Sequence, residues 1–200
     1  MSIWRTLTLV TAGLCLGTWM AQEGKAVASA KDLQVGAKAP SFQAVDDQGK
    51  EWKSSDHVGQ KILVVYFYPA ALTGGCTKQA CGFRDEMEKL SGQGVEVVGV
   101  SGDEVRNLQI FKQTHHLNFT LLSDPEGAVA KKFGVPVHAG GEFKTQDPAG
   151  LDVVLKRGVT ESRWTFVIGK DRDLLFKNTQ VNAPEDARQV LKVVEQAKNK

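Results

Sequence analysis

The 200-residue sequence predicts one α/β domain, a mixed β-sheet with helices on both faces and a small β-hairpin at its N-terminal end. Three observations carry this expectation. Between residues 62 and 133, β-branched apolar runs alternate with helix-period stretches, the order of a partly parallel sheet with crossover helices. Residues 164–168 and 174–177 flank a turn at 169–173 and read as an antiparallel hairpin, with a terminal helix behind it. The composition, 42% hydrophobic and 24% charged, is that of a folded domain with a substantial core.

The first thirty residues differ from the rest. Arg5 precedes a mostly apolar stretch at 7–20, and the small residues Ala26, Ala28, Ser29 and Ala30 lead into Lys31. This is the pattern of a secretory signal peptide, cleaved after Ala30 to leave the domain at residues 31–200 and to place it in the periplasm or another extracytoplasmic compartment. The stretch is shorter than the ~20 apolar residues that span a bilayer comfortably, and an uncleaved anchor is the alternative reading. Cys15 lies within it, but Leu14 stands where a lipoprotein signal needs a small residue. A formal net charge of +2, with cations scattered among anions, points to neither nucleic acid nor a membrane surface as partner. The expected state is a monomer with no stable membrane association and neither cofactor nor metal.

From Leu33, short extended pieces alternate with turn residues, and Asp46, Asp47, Gln48 and Gly49 make the hairpin turn before Trp52. Residues 62–68 are apolar without alternation, as in a strand buried on both faces. Pro69 ends the run. Gly74 and Gly75 allow a tight turn, and a helix pattern follows with Ala80, Phe83, Met87 and Leu90 on one face, closed by Gly92 and Gly94. Residues 95–100 form a second buried strand. Ser101 and Glu104 have the spacing of a capping box for a helix with Val105, Leu108 and Phe111 inward. A short strand at 119–122 precedes a short helix begun by Asp124 and Pro125, running through Phe133 and stopped by Gly134. Residues 135–162 lack a long periodic pattern, with one strand-like piece at 153–155. The last helix begins at Asn182, with Pro184 at its first position and Glu185 completing the cap; Ala187, Val190, Leu191 and Val194 form its buried stripe.

The chemistry concentrates at Cys76 and Cys81. Cys76 falls in the first turn of its helix, where unpaired N–H groups and the positive end of the macrodipole favour a thiolate. As zinc ligands the pair is poor, since structural sites use shorter spacings and four ligands, and no His or Cys lies nearby in sequence. An exported chain would ordinarily hold two cysteines as a disulfide. In a continuous helix, however, residues five apart are separated by ~8.6 Å, beyond the ~7 Å that a disulfide tolerates between Cα atoms. A bond there needs the helix to unwind, so a redox cycle accommodates the pair better than a permanent bridge.

The stretch PAALTGGC, carrying Pro69, Thr73 and Cys76, is followed by TKQAC with Cys81 five residues on, and then by Phe83, Arg84 and Asp85. It resembles the peroxiredoxins, and within them the bacterioferritin comigratory protein or peroxiredoxin Q group. The resemblance runs from VGAKAPSF, beginning at Val35, to the final helix, and RWTFVIGKDRDLLF is similar to the family segment that bears an active-site arginine, here Arg163. Gly74 replaces the proline common before the Gly-Cys pair, and residues 138–162 are longer than in compact relatives.

The resemblance implies a thioredoxin-like fold and a thiol peroxidase acting on hydrogen peroxide and organic hydroperoxides. Cys76 would attack the peroxide and become a sulfenic acid, Cys81 would condense with it, and thioredoxin or a similar dithiol would reduce the resulting disulfide. Thr73 would bond thiolate and peroxide, Pro69 would shield the site, and Arg163 would stabilise the thiolate and polarise the peroxide. Away from the motif, Thr73 reads as a turn residue and Arg163 as a surface cation. Arg84 reads as an ion-pair partner of a nearby carboxylate, His115 and His116 as helix-end cations, and Trp164 as core. Two other functions suit the same fold. A thiol-disulfide oxidoreductase needs a Cys-x-x-Cys pair, which is absent from this sequence; a non-catalytic chaperone or scaffold needs no particular motif.

Overall fold

Strand β3 (Ile62–Phe67) is buried at every residue, and its alternation divides the core in two. Val64 and Tyr66 face one side of the sheet, where they meet Ala80, Phe83 and Leu90 of α1 (Gly74–Gly92), Leu108 and Phe111 of α2 (Val105–His115), and Ala187, Val190 and Val194 of α4 (Asp186–Lys198). Leu63, Val65 and Phe67 face the other side, against Val129, Ala130 and Phe133 of α3 (Ala128–Phe133) and the N-terminal residues Leu33, Ala39, Phe42 and Trp52. Burying each large apolar side chain contributes roughly 1.5–3 kcal/mol. The computed structural model describes Met1 and residues 33–198; the leader pattern lies in residues 2–32, outside the described residues, as do 199–200. Among the described residues no helix is long and apolar enough to cross a membrane.

Beside β3 run β4 (Val95–Ser101) and then β5 (Thr120–Ser123), all parallel, as helical crossovers require. On the other flank lie β8 (Trp164–Ile168), antiparallel to β3, and β9 (Leu174–Asn178), the hairpin expected at this end of the chain. The N-terminal hairpin of β1 (Gln43–Asp46) and β2 (Glu51–Lys53) completes the sheet beyond β5. The mixed sheet with helices on both faces is the predicted one.

Residues 135–162 differ from expectation. They form a second, two-stranded sheet, β6 (Val137–Gln146) against β7 (Asp152–Glu161), ten residues each. Most of both strands faces solvent, with Phe143 and Val154 exposed and only Leu155 and Glu161 buried, so no period-two pattern marks them in the sequence. The hairpin docks through its backbone: Gly158 donates to the Gly102 carbonyl at 2.9 Å, and Asn107 Nδ2 donates to the Lys156 carbonyl. A Cβ at Gly158 would lie 2.1 Å from the Pro125 carbonyl oxygen, so only glycine permits this approach.

Three helix starts also need correction. Ser101 ends β4 and its hydroxyl donates to Asp103, while Glu104 caps α2 without any side-chain bond, so the pair makes no capping box. Asp124 accepts from Ala128 and Ala130 N–H, but the helix begins only at Ala128, with a left-handed Gly127 as its N-cap residue. Asn182 makes no side-chain cap; a 3-10 turn at Ala183–Glu185 leads into α4, and Glu185 pairs with Arg188 instead. His116 adopts the left-handed conformation that ends α2.

Glu161, the last residue of β7, is fully buried, and among the described residues neither carboxylate oxygen has a hydrogen-bond partner. Burial, then the neighbouring Asp124 and Asp103, push its pKa well above the ordinary carboxylate range. The native state therefore keeps a proton that the unfolded chain releases, and stability falls as pH rises from the unfolded pKa through the raised one. Glu161→Gln keeps the size of the side chain and removes the group that must hold a proton to stay neutral. It is expected to raise stability near pH 7 by roughly 1–3 kcal/mol and to change nothing near pH 4, as measured by urea unfolding; equal midpoints at both pH values would contradict a buried, protonated Glu161.

Candidate active site

The chain leaves β3 through a loop held from below. Ala71 N–H donates to Asp103 Oδ2 at 2.8 Å, and Leu72 takes a left-handed conformation, φ 62°, a strain that the surrounding contacts must hold. Asp103 is itself buried, which raises its pKa, although Ala71, Ser101 and Asn107 all donate to it. Thr73 is the N-cap residue of α1, but its hydroxyl donates to the Ala70 carbonyl at 2.9 Å instead of capping the helix. Pro69, half-buried, begins the loop.

Cys76 is the third residue of α1 and only 1% exposed. Its Sγ accepts from Arg163 Nη2 at 3.2 Å. The cation arrives here because the antiparallel register sets Trp164 opposite Phe67, which leaves Arg163 beside the loop following β3. Gly75 makes room for it, since a Cβ there would stand 3.3 Å from Nη2. Arg163 Nη1 in turn donates to Gln79 Oε1. Gln79 Nε2 donates to Asp186 Oδ2 at 2.7 Å, and Thr165 Oγ1 donates to the same oxygen at 2.7 Å.

Cys81 is half-buried in the same unbroken helix, and both thiols are free. The α-helical spacing of ~8.6 Å therefore applies to the pair. Immediately after it, a Cβ at Gly82 would stand 3.8 Å from the Ala187 Cβ and 3.9 Å from the Pro184 carbonyl oxygen, so this turn of α1 lies against the start of the C-terminal helix.

The expected site residues thus divide. Cys76 and Arg163 are in contact; Thr73 and Pro69 shape the loop before the cysteine; Cys81 stands apart along the helix. Arg84 pairs with Asp85 and donates to the His115 carbonyl, a structural role as expected. Trp164 is only half-buried, with Lys177 Nζ 4.9 Å from its ring centroid. Gln79, Asp186 and Thr165 were not among the expected site residues. Two of them carry a signal in the sequence: Gln79 is an amide one turn beyond Cys76, and Asp186 takes the first place of an i, i+4, i+8 face completed by Val190 and Val194.

A buried thiol at a helix start, with a guanidinium on its sulfur and a second thiol further along the helix, defines a thiol-chemistry centre on a thioredoxin-like sheet. Residues 35–176 match the AhpC/TSA family, and the chain belongs to that family. It is 48% identical over 103 residues to peroxiredoxin Bcp of Escherichia coli (strain K12), covering 52% of this chain and 65% of that protein. It is 44% identical over 126 residues to the chloroplastic peroxiredoxin Q of Oryza sativa subsp. japonica, covering 63% and 56%. These matches span less than two thirds of each relative's length. Among solved structures, the peroxidoxin BcpB of Mycobacterium tuberculosis superposes with a TM-score of 0.68 at 30% identity, covering 82% of this chain and 97% of that one.

Proposed function

We propose that the protein is a thiol peroxidase that reduces hydrogen peroxide and organic hydroperoxides to water and alcohols. The observation that carries this reading is the buried Cys76 sulfur 3.2 Å from Arg163 in the first turn of α1. The thiolate attacks one peroxide oxygen; an S–O bond forms, the O–O bond breaks, and the leaving oxygen takes a proton to depart as water or alcohol. Arg163 holds negative charge first on sulfur and then on the separating oxygens. Thr73, its proton committed to Ala70, keeps lone pairs free to accept a hydrogen bond from the peroxide. Pro69 screens the loop from water. Cys81 then attacks the sulfenic sulfur, water leaves, and a Cys76–Cys81 disulfide results.

That bond cannot form across ~8.6 Å, so the first turns of α1 unwind to make it. Amide hydrogen exchange across residues 77–84 is expected to be faster in the oxidised protein than in the reduced one. Equal protection in both states would contradict resolution within one chain. An external dithiol, thioredoxin or a relative, returns both thiols and lets the helix re-form. Both cysteines of the cycle lie in one helix, which supports a cycle completed within a single chain and a protein acting as a monomer. The Arg5, apolar and alanine-rich pattern of the leader supports export, with a mature N-terminus near Lys31; mass spectrometry of soluble cytoplasmic protein retaining Met1 would overturn that part.

The reading as a whole is tested by peroxide consumption by the purified chain with thioredoxin, its reductase and NADPH. Consumption well above that of the reducing system alone is expected. A rate no higher than that background, with Cys76 verified as a free thiol, would overturn it.

A further inference from the structure

Asp186 is fully buried at the start of α4, on the face it shares with Val190 and Val194, where an aliphatic residue would pack at no electrostatic cost. Burial raises its pKa, and the bonds from Thr165 and Gln79 and the charge of Arg163 work against that rise. Among the described residues its Oδ1 has no partner, whereas Oδ2 accepts two hydrogen bonds, from Thr165 and from Gln79. Oδ2 accepts in this way whether Asp186 is ionised or carries its proton on Oδ1.

Gln79 is equally buried and has one amide oxygen and one amide nitrogen to place. Because Asp186 takes the nitrogen, the oxygen faces the opposite way, toward Arg163 Nη1. Turned over, the amide would set an NH2 against a guanidinium, two donors with no acceptor between them, and Arg163 would lose its anchor. The guanidinium is planar and rigid, so anchoring Nη1 also fixes where Nη2 stands, at 3.2 Å from the Cys76 sulfur.

We propose that Asp186 is a positioning residue for Cys76: from the C-terminal helix it sets which way the Gln79 amide faces, and through that amide holds Arg163 on the reacting sulfur. The proposal rests on the thiol peroxidase reading only in naming Cys76 as the reacting group.

The test compares Asp186→Asn with Asp186→Leu. Both remove the charge at similar size, and only asparagine keeps an oxygen for Gln79 and Thr165. In the full chain carrying Cys81→Ser, two rates are followed at Cys76 by peptide mass spectrometry: alkylation by iodoacetamide and oxidation by hydrogen peroxide. Asp186→Asn is expected to stay within about threefold of the parent, and Asp186→Leu to slow both rates by about tenfold or more, the scale of a misplaced catalytic group. With Gln79→Ala also present, exchanging Asn for Leu at 186 is expected to change neither rate, an outcome that loosened helix packing alone would not produce. Asp186→Ala takes the place of the leucine variant if circular dichroism shows that variant unfolded. Equal rates in the Asn and Leu variants, or a difference that persists with Gln79→Ala, would overturn the proposal. If peroxide oxidises Cys76 in none of the proteins, the peroxidase reading fails while the alkylation rates still decide the role of Asp186.

Discussion

Cys76→Ser is expected to abolish peroxide consumption, with the second-order rate falling by at least about a thousandfold. A serine hydroxyl is a weak nucleophile near neutral pH, and the side chain that meets this position is the Arg163 guanidinium, a donor and not a base. The site is arranged for sulfur: a side chain 1% exposed, at a helix start, with the Arg163 guanidinium as the donor on its Sγ. Cys81→Ser should behave differently. It leaves the reacting thiol and its cation in place, so one equivalent of peroxide is consumed at close to the parent rate, after which sulfenic acid accumulates and turnover with thioredoxin stops. Stopped-flow peroxide consumption distinguishes the two. Turnover by Cys76→Ser, or steady turnover by Cys81→Ser with thioredoxin as sole reductant, would reassign the cysteines.

Arg163→Met is expected to slow the first oxidation step by about a hundredfold to a thousandfold, the usual cost of deleting one preorganised donor. Methionine keeps most of the apolar stem, so the loss reports the guanidinium. Arg163→Lys should recover only part of the rate: an ammonium is a point charge on a flexible stem, and one nitrogen replaces the rigid pair now divided between Gln79 and Cys76. Single-turnover oxidation with excess peroxide measures this directly. A methionine variant oxidised at the parent rate would remove Arg163 from the mechanism.

Much of this arrangement can be read from the chain itself, for physical reasons. Residues 62–67 are apolar on both faces because both faces are covered, and Ala80, Phe83 and Leu90 mark the covered side of α1. The β6 and β7 strands left little trace beyond the piece at 153–155: with both faces largely wet, nothing obliges their side chains to alternate, and their attachment runs through backbone groups such as Gly158 N–H. Ser101 and Glu104 misled because a capping box is a spacing rule, and the serine hydroxyl found a nearer acceptor in Asp103. Cys76 and Cys81 stand out because one motif carries both, and Arg163 because it begins the separate RWTFVIGKDRDLLF segment. The link from Gln79 to Asp186 was not legible, since it joins residues 107 apart in sequence through the docking of α4 on α1.

The most direct measurement treats the reduced full chain with one equivalent of hydrogen peroxide, blocks the remaining thiols, and examines the product by non-reducing mass spectrometry. The account predicts a monomer in which Cys76 and Cys81 escape blocking and are joined in one peptide species two hydrogens lighter than its reduced form. A disulfide-linked dimer, or Cys76 oxidised to sulfinic acid beside an unreacted Cys81, would contradict it.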